Sequence, residues 1–179
     1  MFLLQQLDNT AKKIKSQIAN ALTLVNLCLG AFAIIYVIQN QLHIALLFIT
    51  IAALCDRLDG AAARRFNAVS DFGKQLDSLS DLVSFGVAPA FLIFQASLNS
   101  FGLPGIFLTI FFILCGAIRL ARFNVTAPKF HFVGLPITAA GCILTLQILI
   151  VPYLPSYFFM FLTLILSILM ISTFKVRKV

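Results

Sequence analysis

The sequence predicts an all-α integral membrane protein: six transmembrane helices preceded by an N-terminal amphipathic interfacial helix. Three observations carry this. Of 179 residues, 61% are hydrophobic and only 11% are charged, where soluble domains run nearer a quarter charged. Mean hydropathy is +1.04. The apolar residues fall into runs near the ~20 residues that a membrane helix needs. About six such helices with short connections use up the chain. It reads as a single membrane-embedded domain, 1–179.

Residues 1–18 mix Phe2, Leu3, Leu4, Leu7, Ile14 and Ile18 with polar positions and Lys12, Lys13 and Lys15. That pattern predicts a short helix lying in the head-group layer. The bundle itself spans 19–174. Its first helix is Ala19–Ile38. The second starts at Leu42, is apolar through Leu54, and runs into an acidic motif. The third starts near Asp71 and is apolar from Leu82 to Ala96. The fourth is Pro104–Phe123, the fifth Gly134–Val151, and the sixth Tyr157–Phe174. Residues 175–179 form a basic tail. The connections QNQ, NSFGLPG and PYLPS carry turn residues.

Charge sets the orientation. With six spans, all thirteen Lys and Arg residues fall on the side of the termini, and the three opposite connections have none. Cytoplasmic segments hold the excess of Lys and Arg, so both termini and the acidic motif are expected at the cytoplasmic face of a cell membrane. The net charge of +7 then belongs to the membrane surface, and no soluble basic face remains for nucleic acid. The N-terminus does not read as a cleaved signal, because its lysines follow the first apolar patch. Cys28, Cys55, Cys115 and Cys142 lie in apolar stretches without CxxC spacing and read as small packed hydrophobes.

The acids carry the chemistry. All six are Asp. Four of them form two close pairs, Asp56/Asp59 and Asp77/Asp81, with Asp8 and Asp71 as the other two. Spacings of three and four put each pair on one helix face. The segment between the pairs lets one helix leave and the next return, so the pairs can face each other across a seam. Arg57, Arg64, Arg65 and Lys74 are near enough in sequence to pair with single acids. Four carboxylates together at a membrane interface repel and lose hydration, and one or two divalent cations relieve both. All-oxygen ligands favour Mg²⁺, Mn²⁺ or Ca²⁺ over zinc. Gly60, Ala61, Ala62, Ala63 and Gly73 leave bare backbone beside the acids, and Arg64 offers a forked donor to phosphate. A diphosphate ligand fits that combination.

The window reads D-x2-D-G-x2-A-R-x8-G-x3-D-x3-D without a gap. It resembles the signature of the CDP-alcohol phosphatidyltransferases, membrane enzymes with six transmembrane helices. The resemblance implies a CDP-diacylglycerol donor. It implies Asp56, Asp59, Asp77 and Asp81 as ligands of Mg²⁺ or Mn²⁺, with two ions at most and Ca²⁺ as a non-productive occupant. Asp81 would also be the general base. Gly60, Ala63, Arg64 and Gly73 would line the CDP pocket. Thr23 and Asn26 would lie near the nucleotide, or else serve helix–helix hydrogen bonding. A homodimer is also implied.

A second region, Arg119-Leu-Ala-Arg122-Phe-Asn124 followed by Phe132-Val-Gly134-Leu-Pro136, resembles the serine-using branch of that family. The acceptor would be L-serine, with phosphatidylserine and CMP as products. Arg119 and Arg122 would bind the serine carboxylate or a phosphate, and Phe132 and Gly134 would belong to a loop over the amino acid. Glycerol 3-phosphate or another polar alcohol is the alternative acceptor. An ion transporter or channel is the alternative of another class, since intramembrane acids also mark ion pathways.

Overall fold

The computed structural model describes residues 2–65, 70–125, 131–172 and 175–177. Seven α-helices follow in order: α1 Phe2–Ile38, α2 Leu42–Arg65, α3 Asp71–Asp81, α4 Ala88–Ala96, α5 Leu103–Val125, α6 Ile137–Leu146 and α7 Ser156–Ile171. A π-helical turn, Leu82–Val87, joins α3 to α4, so Asp71–Ala96 is one continuous helical stretch. Short 3₁₀ turns occupy Leu98–Phe101 and Gln147–Leu149. Among the described residues, three stretches are long and apolar enough to cross a membrane: Asn20–Ile38, Asp71–Ala96 and Leu103–Val125. Ile137–Leu149 and Ser156–Ile171 are shorter apolar helices.

The predicted interfacial helix and first span are a single helix. No Gly or Pro interrupts residues 2–29, so nothing in the backbone breaks α1 at residue 18. The helix ends where Asn40 takes φ 60°, a left-handed conformation that Asn tolerates. The α1–α2 hairpin closes on Phe48, whose ring stacks on Phe32 and Tyr36 at 5.7 and 5.2 Å.

The Ser70 side chain caps α3 by accepting from the Gly73 N–H at 3.0 Å, satisfying a donor left over at the helix start. The π turn comes just before Pro89. Proline has no N–H and crowds the carbonyl four residues back, and widening the preceding turn accommodates it.

The bundle is apolar outside and partly polar within. Leu47, Phe107, Leu114 and Phe161 are exposed, whereas Asn26, Ser80, Ser84, Thr163 and Ser167 are fully buried. Some buried hydroxyls return to their own helices, as in Thr145 to Gly141 O (2.7 Å) and Thr163 to Phe159 O (2.7 Å). That arrangement suits a lipid surround, and the protein is a membrane protein.

The last two spans begin or end inside their predicted limits. Pro136 sets the start of α6 at Ile137, and α7 stops at Ile171. Residues Lys175–Arg177 of the basic tail have regular structure. They form β2, antiparallel to β1 (His131–Val133), with His131 opposite Arg177 and Val133 opposite Lys175. Gly134 follows with φ +74°, and a Cβ there would stand 2.7 Å from Ser172 O and 2.9 Å from Met170 O.

α1 meets the third span through small residues. Ser80 Oγ donates to Thr23 O at 3.1 Å, and Ser84 Oγ to Asn26 O at 3.0 Å. A Cβ on Gly30 would stand 2.9 Å from the Ser84 Cα. Gly30→Ala should therefore push α1 off the π turn and cost about 1–3 kcal/mol. Thermal unfolding in detergent checks this; an unchanged midpoint would show that the seam has slack.

Candidate metal centre

Asp56 on α2 and Asp77 and Asp81 on α3 each bring one carboxylate oxygen to within 4.8 Å of the others. All three are half-buried. The expected meeting of the two motif halves across a seam is present for these three residues. Asp59 lies on α2 three residues beyond Asp56, but its side chain is outside the described residues, as are those of Gly60, Ala63 and Arg64. Asp71 stays apart, pairing with Lys74 at 3.2 Å in an exposed i, i+3 contact.

Helix α3 presents a different chemistry on each face. Asp77 and Asp81 point toward Asp56. Ser80, with Ser84 just beyond the helix, hydrogen-bonds α1. Ser78 and Gln75 meet Asn124 of α5. At ~100° per residue these sets fall on three successive sectors of the helix.

The surroundings are charged. The Asp56 and Asp77 charges repel each other. Arg119 of α5 is near enough to Asp81 for their opposite charges to interact, and its Nε has no hydrogen-bond partner among the described residues. Cys142 of α6 lies within range of the Asp56 charge. Four helices thus contribute to one centre, and α1 adds Asn26, whose carbonyl accepts from Ser84. Asn26 is fully buried, and neither its amide nitrogen nor its amide oxygen has a partner among the described residues. A buried amide left so costs about 1–3 kcal/mol unless water or a ligand pairs with it.

Other expected site residues have structural partners. Gly73 lets α3 approach α1: a Cβ there would be 2.9 Å from Asn20 Oδ1. Thr23 is buried beside Ser80. Arg122 donates from Nη1 to Ile171 O at 3.0 Å, and Leu135 N–H donates to Leu169 O at 3.1 Å. The Arg122 end of α5 and the Gly134 loop are therefore both seated on the end of α7. Phe132 lies in β1, with its side chain outside the described residues.

Sequence reading missed Ser78, Ser80, Ser84 and Gln75, and named Asn124 only as the last residue of the Arg119–Asn124 element. A signal did exist for the serines: Ser80 and Ser84 repeat the four-residue spacing of Asp77 and Asp81, one position out of phase.

Three hard oxygen donors this close fit a divalent cation; without one, like charges crowd a poorly hydrated seam. The residues suit the metal that the motif implies.

An acid cluster set among apolar helices defines a membrane protein with a built polar centre. The chain belongs to the CDP-alcohol phosphatidyltransferase family, whose sequence profile matches residues 16–171. It is 40% identical over 126 residues to the CDP-diacylglycerol--serine O-phosphatidyltransferase of Bacillus subtilis, covering 70% of this chain and 71% of that one. It is 39% identical over 162 residues to the Methanocaldococcus jannaschii protein of the same name, covering 90% and 74%. It is 37% identical over 173 residues to the archaetidylserine synthase of Methanothermobacter thermautotrophicus, covering 94% and 73%. The protein is an enzyme, a transferase of phospholipid biosynthesis, which sets aside the ion-transport alternative.

Repulsion within the cluster gives a test. Without divalent cations, Asp77→Asn should unfold at a higher temperature than the unaltered protein. With Mn²⁺ at about a hundred times its Kd the order should reverse, since binding adds about 2.7 kcal/mol to the protein that binds. Two calorimetric scans of each protein decide it; an unchanged order would deny a shared cation.

Proposed function

We propose that the protein transfers the phosphatidyl group of CDP-diacylglycerol to the hydroxyl of L-serine, giving phosphatidylserine and CMP by direct displacement. The observation that carries the chemistry is the convergence of Asp56, Asp77 and Asp81 from two helices. The acceptor rests on the names of the relatives, which share serine, and on the Arg119–Asn124 element.

In this reading Asp56, Asp59, Asp77 and Asp81 hold Mg²⁺ or Mn²⁺. Bound there, the metal would offset the charge of the diphosphate and of the departing CMP. Gly60, Ala63, Arg64, Gly73, Thr23 and Asn26 line the nucleotide side. Arg119 attracts the serine carboxylate, and the loop carrying Phe132 and Gly134 closes over it. Asp81 takes the proton from the serine hydroxyl. That oxygen bonds to the phosphatidyl phosphorus as the bond from phosphorus to the CMP oxygen breaks. Holding the hydroxyl in line with the phosphorus supplies much of the acceleration. The protein spans the cell membrane six times, with termini and site cytoplasmic, as its thirteen basic residues suggest.

The test uses purified protein with CDP-diacylglycerol, Mg²⁺ or Mn²⁺, and one alcohol at a time. CMP release with L-serine is expected. Release with glycerol 3-phosphate alone would move the assignment to that acceptor, and no release with any alcohol would sink it. Asp81→Asn should cut turnover at least ~100-fold, the scale of a lost general base, while CDP-lipid binding stays within about twofold. The implied homodimer is checked by light scattering of the detergent-purified protein; a monomer mass would remove it.

A further inference from the structure

We infer that Asn124 is a positioning residue that fixes the acceptor side of the site against the metal helix. This rests on the reading of α5 as the acceptor helix. Asn124 Nδ2 donates to Ser78 Oγ at 3.0 Å and to Gln75 Oε1 at 3.3 Å. Ser78 Oγ lies 3.2 Å from Asn124 Oδ1 and 3.1 Å from Lys74 O, so its single proton serves one of these while it accepts from Asn124. Ser78 adjoins Asp77 and precedes Asp81 by three residues. The tie therefore grips α3 within the turn that carries the carboxylates.

The other end of the argument is Arg119. It sits on the same helix as Asn124, about 7.5 Å along the axis at ~1.5 Å per residue, and its charge interacts with Asp81 across the α3–α5 gap. That separation depends on how α5 docks on α3, and a shift of about 1 Å in a reacting pair can cost ~100-fold in rate. Arg122, between them, is anchored to Ile171 O at the end of α7. Three polar residues of one short element thus divide the work. Arg119 faces the acids, Arg122 ties α5 to α7, and Asn124 ties α5 to α3. An exposed helix end would not require an amide here, and a pocket lined only for charge would not bond it to Ser78.

The experiment is a double-mutant cycle on the purified protein: Ser78→Ala, Asn124→Ala and both together. The readouts are kcat and KM for serine and, separately, CDP affinity. Each single variant should lower kcat/KM for serine about tenfold or more, with CDP affinity held within about twofold. The pair should be no worse than the worse single variant, and Ser78→Thr, which keeps the hydroxyl, should recover most of the loss. Additive losses, or an equal fall in CDP affinity, would overturn the inference. If Asn124→Ala does not fold, the contrast between Ser78→Ala and Ser78→Thr decides alone, and equal activities overturn it. Serine-dependent CMP release by the unaltered protein is the control. Its absence would count against serine as acceptor, and the cycle would then be run with the alcohol that is used.

Discussion

Mutual repulsion among Asp56, Asp77 and Asp81 is the constraint that the rest of the structure answers. Their oxygens stand within 4.8 Å of one another, in a chain with only six acids and a largely apolar surface. Apolar packing joins α2 to the third span, with Ala52 and Phe85 in one buried cluster. Polar ties add restraint on the other faces of α3: Ser80 and Ser84 to α1, and Ser78 and Gln75 to α5. In lipid, where apolar helices gain little by associating with each other, such bonds and close small-residue contacts give a bundle its order.

The same logic explains where the small residues lie. Gly30 admits Ser84, and Gly73 admits Asn20. Their missing side chains bring α1 near enough for its carbonyls to accept from serines. Asn26, buried with an amide lacking partners among the described residues, is the point on α1 where this packing leaves polar capacity unspent.

Much of this was legible in the sequence. The Asp pairs stood out because acids are rare and helical spacing puts each pair on one face; Asp56, Asp77 and Asp81 do lie together. The helices were legible as apolar runs. What escaped detection shares one cause: it depends on partners that have no residue code. Ser80 and Ser84 bond backbone carbonyls, which every residue of α1 offers. The ribbon of β1 and β2 is three residues long on each side, too short for a period of two to show. The amphipathic N-terminus did suggest a separate helix, but amphipathicity reports a surface and not a break, and α1 runs through.

The π turn at Leu82–Val87 has a consequence for how this span can vary. Relative to a plain α-helix, such a turn accommodates about one extra residue, and one residue is ~100° of rotation. Asp81 looks toward Asp56 and Asp77, while Ala88, Ala90, Leu92 and Ile93 are buried in the core beyond. The turn sets the phase between these two halves. Loops can gain or lose residues freely, but the count from Asp81 to Pro89 behaves like a tooth in a gear. Removing one residue would leave the acids and the core side chains themselves unchanged and yet turn either the acids away from their centre or α4 away from its core.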